Sequence, residues 1–225
     1  RSCNPVLRPC SRPLARSSSF AGSTRSAPPS SAAANELDLA NGLREYPGRG
    51  PSAENLPSFG PTGGWIAWWL GQAAPNLPPT PNNSIAWFYG AGAIQYFYAQ
   101  DPKADLKSYS PEKVKARVQQ VSALMDSTNP DLTAFHARGG KLILLENLGD
   151  YAQSPYAGIG WHASVVQKMG REKVDAFFKL YTAPNVDHVG TGGPANGDFL
   201  EALVGWVERG MSPAGLTLVE QDGKP

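Results

Sequence analysis

Two short apolar runs and the helix between them dominate the pattern of the C-terminal third. Lys141 to Leu145 (KLILL) is an almost continuous apolar run of the kind that a buried parallel strand requires. Val174 to Thr182 (VDAFFKLYT) reads as the next strand. Between the two runs, a helix is predicted from about Ala157 to Met169, with Gly170 as its C-terminal stop.

A second helix is predicted after the second strand. Asp198 is placed to cap it, and Gly210 ends it. One apolar stripe at helical spacing is formed by Phe199, Leu203, Trp206 and Val207. The order strand, helix, strand, helix predicts an α/β fold with parallel strands. Right-handed crossovers would place the loops that follow both strands at the carboxyl edge of the sheet.

Residues 42–100 show a different pattern, because they are strongly aromatic and broken by proline and glycine. Four of the six tryptophans fall here, namely Trp65, Trp68, Trp69 and Trp87. Two interpretations stay open: a small satellite core of aromatic residues, or a lid that lines an aromatic-binding pocket. Downstream, Ser110 and Pro111 predict the start of a helix that ends at Asn129–Pro130.

Residues 1–35 are rich in serine, proline, alanine and arginine and contain no acidic residue. No apolar periodicity is visible, so we expect either a disordered tail or a sequence artefact that arises from translation of a shifted reading frame. These residues also lack the apolar stretch that a secretory signal peptide requires. The chain therefore divides into this tail, a loop-rich and aromatic partial lid region at 36–130, and a C-terminal α/β segment at 131–225.

Composition and charge exclude several classes of function. The net charge of +1 suggests neither a nucleic-acid partner nor an anionic membrane, and no apolar run approaches the roughly 20 residues that span a bilayer. The only cysteines are Cys3 and Cys10, and the three histidines do not occur at metal-ligand spacing. We expect no metal and no cofactor.

The two loops at the carboxyl edge carry the candidate chemistry. Asp150 follows the first strand and His188 follows the second. A serine hydroxyl is a weak nucleophile, so an imidazole must accept its proton, and a carboxylate then orients and stabilises the imidazole. In α/β-hydrolases these groups occur in the order nucleophile, acid, histidine. We therefore predict Asp150 as the acid and His188 as the base, within hydrogen-bond reach of each other.

Two alternative interpretations of this site involve Asp187, the residue before His188. Asp187 is the alternative partner for His188, and we rank it lower because adjacent side chains usually point apart. A metal-dependent hydrolase that uses Asp150, Asp187 and His188 is a further alternative. The remaining histidines, His136 and His162, read as structural.

Long stretches of the chain resemble a known family. The segments PDLTAFHARGGKLIL, VDAFFKLYTAPNVDHVGTGGP and LVGWVERGMSP are similar to the C-terminal end of the tannase and feruloyl esterase family, and GLREYPGRGPSAEN extends the resemblance to roughly residues 40–220. The resemblance implies an α/β-hydrolase with a large lid inserted before the aspartate strand. It also implies cleavage of carboxylic esters of aromatic acids by a serine, an aspartate matching Asp150 and a histidine matching His188. Secretion or a periplasmic location would follow from it as well.

Three departures from the family pattern are visible. Val189 stands where the family has a cysteine, disulfide-bonded to one beside the serine, and Leu145–Asn147 (LEN) replaces a Tyr-His-Gly. The Cys-Ser-x-Gly-Gly nucleophile segment is missing, since Cys10–Ser11 is followed by Arg12–Pro13. We interpret the sequence as a C-terminal fragment of such an esterase that lacks the nucleophile. The alternative is a non-catalytic domain that binds aromatic ligands.

Overall fold

The computed structural model describes residues 6–7, 47–49 and 63–220. Its elements in chain order are β1 (Val6–Leu7), α1 (Gly63–Trp65), α2 (Ile85–Gly92), α3 (Lys115–Met125), α4 (Thr133–Ala137), β2 (Leu142–Asn147), α5 (Pro155–Met169), α6 (Arg171–Asp175), β3 (Phe178–Ala183), α7 (Phe199–Arg209) and β4 (Leu216–Thr217). Helices α1 and α2 continue as π-helical stretches over Ile66–Leu70 and Ala93–Tyr98, and 3₁₀ turns cover Leu106–Ser108 and Pro111–Val114.

The two central strands, β2 and β3, lie parallel to each other. Leu142 is opposite Phe178, and Asn147 is opposite Ala183. Helices α5 and α6 connect the strands. The prediction of an α/β fold with two neighbouring parallel strands is confirmed, and both of the loops that follow these strands leave the sheet at its carboxyl edge.

The start of the second strand differs from the prediction. Val174 lies in the short helix α6, and β3 begins only at Phe178. Gly170 ends α5 with a φ of +87°, and the Val174 N–H donates to its carbonyl oxygen, so a new helical turn forms at once. Arg, Glu and Lys at 171–173 are good helix formers, which offsets the strand pattern of the residues that follow.

The core of the α/β unit, by which we mean residues 131–220, packs on both faces of the strands. Val165, Val174, Phe177 and Phe178 form one buried cluster, and Ala183, Val186 and Leu218 form another. Helix α7 is capped by Asp198, whose Oδ1 accepts a hydrogen bond from Glu201 N–H at 2.9 Å, and ends at Gly210 in the left-handed region. This helix is confirmed, although Val207 of the predicted stripe is exposed.

Upstream, the structure contains helices where the sequence pattern suggested loops. Helices α1 and α2 occupy the aromatic segment, a name we keep for residues 63–98. Ser84 caps α2 by accepting a hydrogen bond from the Trp87 N–H at 3.1 Å. The predicted helix after Pro111 is present as a 3₁₀ turn followed by α3, but it ends at Met125, before Asn129.

Part of the predicted N-terminal tail pairs with the C-terminal end of the described chain. Val6–Leu7, within the stretch predicted to be a disordered tail or a sequence artefact, forms an antiparallel pair with Leu216–Thr217. The rest of the predicted tail at 1–35 lies outside the described residues, as do 36–46, 50–62 and 221–225. Among the residues described, no helix is long and apolar enough to cross a bilayer.

Candidate active site

Asp150 lies in a tight loop directly after β2, and this loop fixes its carboxylate. The Asp150 N–H donates to the carbonyl oxygen of Asn147 at 3.1 Å. Its Oδ1 accepts hydrogen bonds from the N–H groups of Ala152 at 2.7 Å and Gln153 at 2.8 Å. One carboxylate oxygen is thus held by backbone, and the other is free to meet a partner across the loop.

That partner is His188, in the loop that follows β3. Its Nδ1 lies 2.9 Å from Oδ2 of Asp150. The Asp150 side chain is only 14% exposed, whereas that of His188 is 34% exposed. The predicted proximity at the carboxyl edge is therefore found. A neutral imidazole that donates from Nδ1 to this carboxylate presents Nε2 as an acceptor, and no described residue forms a hydrogen bond with Nε2.

Three hydrogen bonds join the two loops to each other. Leu148 N–H donates to the carbonyl of Ala183 at 2.9 Å, and Gly149 N–H donates to the carbonyl of Val186 at 2.9 Å. The amide Nδ2 of Asn147 donates to the carbonyl of Asp187 at 2.9 Å. These bonds continue the pairing of β2 and β3 beyond the strands, so the sheet itself sets the distance between acid and base.

Asp187, the rival for the acid, is turned into its own loop. It has no exposed surface, and its Oδ1 accepts hydrogen bonds from the N–H groups of Val189 at 3.0 Å and Thr191 at 2.8 Å. Its Oδ2 accepts a hydrogen bond from the Thr191 hydroxyl at 2.6 Å. Asp187 therefore does not hold the imidazole. Among the described residues, no group of three or more histidine, cysteine, aspartate or glutamate side chains could hold a metal ion.

Aromatic rings surround His188 on the side of the aromatic segment. The ring centroids of Trp68 and Tyr151 lie 5.8 Å and 6.2 Å from that of His188. Tyr89, 65% exposed, continues the row at 6.3 Å from Trp68, and Phe88 meets Tyr89 edge-on at 5.6 Å. The aromatic density of the sequence suggested a pocket, but only the fold shows that Trp68 is the ring beside the imidazole.

A cavity opens at the far end of this row of rings. It has a volume of about 590 Å³ and is lined by Phe88 together with Leu77, Tyr96 and Lys103. All three of these hydrophobic side chains are among the exposed large hydrophobic residues of the chain. This arrangement favours the pocket-lining interpretation of the aromatic segment over the satellite core, since a core would bury these rings.

The aromatic segment is also attached to the Asp150 loop by polar contacts. The indole N–H of Trp69 donates to the carbonyl of Tyr151 at 2.7 Å, and the guanidinium of Arg49 donates to the same oxygen. The guanidinium stacks 3.7 Å from the centre of the Trp69 ring. Two donors on one carbonyl fix the backbone of the residue that follows Asp150.

Glu146 is an unexpected second acid behind the pair. Its carboxyl oxygen lies so close to helix α5 that a methyl group at Gly158 would be 1.7 Å from it. Burial, followed by the negative charge of Asp150, raises the pKa of Glu146 to about 7. Sequence reasoning noted Glu146 only as a departure from the family pattern, because its burial depends on the packing of α5.

The other two histidines contact core aromatic rings rather than the pair. His136 stacks on Phe177 at 4.8 Å, and His162 meets Phe178 edge-on at 4.8 Å. Burial, and then the nearby charge of Arg171, lowers the pKa of His162. Both contacts agree with a structural role.

The fold and its similarities define the class of protein. The structure resembles the crystal structure of feruloyl esterase B from Aspergillus oryzae with a TM-score of 0.60 and 19% sequence identity, over 82% of this chain and 36% of that one. The fold is that of an α/β-hydrolase. A model of the family "Tannase and feruloyl esterase" matches residues 31–225, and the chain belongs to this family.

Individual relatives agree with this assignment. An uncharacterized esterase of Agrobacterium fabrum is 29% identical over 81% of this chain and 32% of its own length. A probable feruloyl esterase of Arthroderma benhamiae is 32% identical over 55% of this chain and 25% of its own length. The chain thus spans between a quarter and a third of the length of these relatives.

Proposed function

We propose that this chain carries the acid and the base of a serine carboxylic ester hydrolase. The observation that carries the proposal is the 2.9 Å contact between His188 Nδ1 and Asp150 Oδ2, with the second carboxylate oxygen held by two backbone N–H groups. In this arrangement Asp150 keeps the imidazole in the tautomer that accepts a proton at Nε2.

The chemistry follows from that tautomer. As a serine oxygen forms a bond to the ester carbonyl carbon, its proton passes to Nε2 of His188, and Asp150 stabilises the resulting cation. The bond to the alcohol oxygen then breaks, and that oxygen takes the proton from Nε2. Water repeats the sequence on the acyl-enzyme and releases the acid. The 225 residues contain no Cys-Ser-x-Gly-Gly or Gly-x-Ser-x-Gly segment, so the experiment below supplies the serine explicitly.

For the substrate we propose a small ester of an aromatic acid. The row of rings formed by Trp68, Tyr89 and Phe88 provides flat apolar surface beside the imidazole, which suits an aromatic acyl group. The name of the Arthroderma benhamiae relative, a probable feruloyl esterase, points to the same class.

The pair itself is tested in the 225-residue chain by ¹⁵N NMR of the imidazole. We expect the wild type to hold the Nδ1-protonated form of His188, and Asp150→Asn to redistribute the proton between the two ring nitrogens. Asp126→Asn, an exposed aspartate at the end of α3, serves as the matched control and should leave the His188 signals unchanged. Identical His188 signals in wild type and Asp150→Asn would overturn the pairing.

Activity is tested in a fusion that places an upstream segment of a close relative, with its Cys-Ser-x-Gly-Gly motif, ahead of this chain. We expect hydrolysis of methyl ferulate, which His188→Ala should reduce by up to roughly a millionfold, by the subtilisin precedent for a triad histidine. His136→Gln is the control for a histidine outside the pair. An active fusion that tolerates His188→Ala would refute the proposal. Activity of the 225-residue chain alone that depends on His188 would locate the nucleophile within it.

A second candidate function is binding of aromatic ligands without catalysis. The 590 Å³ cavity beside Phe88 favours it, because its exposed rings form a surface for a flat apolar molecule. This candidate requires ferulate to bind equally well to wild type and His188→Ala, with loss of binding in Phe88→Ala. Calorimetry on the 225-residue chain distinguishes the two cases.

A further inference from the structure

One buried carboxylate accepts several hydrogen bonds within the loop that presents His188. Asp187 is 0% exposed, and an unpaired carboxylate at such a position would be strongly destabilising. Its oxygens accept three hydrogen bonds, from Val189 N–H, Thr191 N–H and the Thr191 hydroxyl. All three donors come from the four residues that follow it, so the carboxylate closes residues 187–191 around itself.

The main chain of Asp187 links this loop to the Asp150 loop. Its N–H donates to the carbonyl of Thr191 at 2.8 Å, and its carbonyl accepts the Nδ2 hydrogen bond of Asn147 at 2.9 Å. The other end of that amide, Oδ1 of Asn147, is buried with no hydrogen-bond partner among the described residues. A buried acceptor without a hydrogen bond destabilises the folded chain. The stabilising contribution of the Asn147 amide is therefore the hydrogen bond from its Nδ2 to the Asp187 carbonyl.

Apart from the Trp68 and Tyr151 rings beside His188, apolar packing does little to hold the end of the loop. His188 and Val189 are both exposed, with Val189 at 49%, and Gly190 follows with a φ of +82°. A loop of this composition has many alternative conformations. The hydrogen bonds of Asp187 are present in the same conformation in which the imidazole reaches Asp150.

We propose that Asp187 is a positioning residue for His188. It does not touch the imidazole. Its carboxylate sets the fold of residues 187–191, its carbonyl ties that fold to Asn147, and the result is the 2.9 Å contact of His188 with Asp150. This inference rests on the proposed function, since it assigns Asp187 a part in the geometry of the same acid–base pair.

The test compares Asp187→Ala with Asp187→Asn, followed by ¹⁵N NMR of His188 in the 225-residue chain. We expect the alanine variant to redistribute the His188 proton as Asp150→Asn does. The asparagine variant should retain much of the wild-type signal, because its Oδ1 still accepts from the backbone N–H groups. In the active fusion, Asp187→Ala should reduce kcat by about 100-fold, the typical effect of a misplacement near 1 Å, with a KM within about twofold of the wild type.

Asp198→Ala is the matched control. It removes another loop carboxylate that caps backbone N–H groups, at the start of α7, and should lower stability without changing the His188 signals. If Asp187→Ala fails to fold, Thr191→Val serves instead, because it removes only the hydroxyl that donates to Asp187 Oδ2. We expect it to shift the His188 signals in the same direction as Asp187→Ala but by less. Thr191→Ser, which restores a hydroxyl, should restore the wild-type signals.

The outcomes separate this inference from the proposed function. If Asp150→Asn changes the His188 signals but Asp187→Ala and Thr191→Val do not, the positioning role is wrong and Asp187 merely stabilises a turn. If none of the three variants changes the signals, the pairing of Asp150 with His188 is wrong, and the proposed function fails before the positioning role is tested.

Discussion

The α/β unit buries its large hydrophobic residues, whereas the aromatic segment leaves many of them exposed. In the α/β unit, Phe177, Phe178 and Tyr181 are almost completely buried. In the aromatic segment, Ala91 is the only hydrophobic residue with a described side chain that is buried to this degree. Its large hydrophobic residues at the surface are Ile66, Leu70, Leu77, Phe88, Tyr89, Tyr96 and Phe97.

This contrast shows that apolar content has two different consequences in one chain. In the α/β unit it provides the buried area that holds two strands and their helices together. In the aromatic segment it leaves apolar surface facing outward, which is typical of surfaces that bind ligands or partners. The two regions meet at the Asp150 loop, through Trp69 and Tyr151.

The largest expected effect comes from truncating a core ring. Phe177→Ala in the α/β unit should lower the free energy of unfolding by about 3–5 kcal/mol, because it removes buried surface and leaves a cavity. Phe88→Ala, at a ring that is 55% exposed, should change it by no more than about 0.5 kcal/mol. Urea unfolding of both variants measures the difference. Equal losses would show that the aromatic segment has a core of its own.

The contact between the two regions is tested at Gly64. A methyl group there would lie 2.3 Å from the Tyr151 ring, which is fully buried. Gly64→Ala should cost about 1–3 kcal/mol as α1 is displaced from the Asp150 loop. Gly90→Ala in α2, with no atom within 4 Å of the added methyl, should instead be neutral or stabilising by up to about 1 kcal/mol. Thermal unfolding of both variants provides the comparison, and a harmless Gly64→Ala would mean that the regions do not pack as described.

The smallest expected effect concerns pH and Glu146. The pKa of Glu146 is raised from its ordinary value of 4.5 to about 7 in the folded state, so the folded chain holds a proton that the unfolded chain loses between these values. The stabilising contribution of the protonated form is complete below pH 4.5 and is lost as the pH rises to 7. Glu146→Gln should therefore be more stable than the wild type at pH 8, by about 1 kcal/mol once solvent screening is included, and nearly equal to it at pH 4. Urea midpoints at the two pH values test this, and a difference that does not depend on pH would contradict it.

The sequence predicted the pair but not its surroundings, for a physical reason. Asp150 and His188 could be placed together because parallel strands deliver the loops that follow them to the same edge, a rule that needs only the order of elements. The contacts of Trp68 with His188 and of Glu146 with Gly158 join residues that are distant in sequence or depend on how a helix packs. No local pattern contains that information.

The errors in secondary structure have local causes. Val174 fitted a strand pattern, but the turn at Gly170 and three good helix formers started α6 instead. Helix α2 was missed because two glycines and three aromatic residues weaken its helical pattern, whereas the capping by Ser84 and packing within the aromatic segment support it. In both cases a local turn or cap started a helix in a segment whose average propensity did not favour one.

The place of Trp68 gives this site an optical signal of its own. A protonated imidazole accepts an electron from an excited indole more readily than a neutral one does, and these two rings lie 5.8 Å apart. The emission of Trp68, obtained as the difference between the wild type and Trp68→Phe, should therefore fall when His188 gains a proton. The charge on the base is then observable in the 225-residue chain without a substrate, a label or turnover.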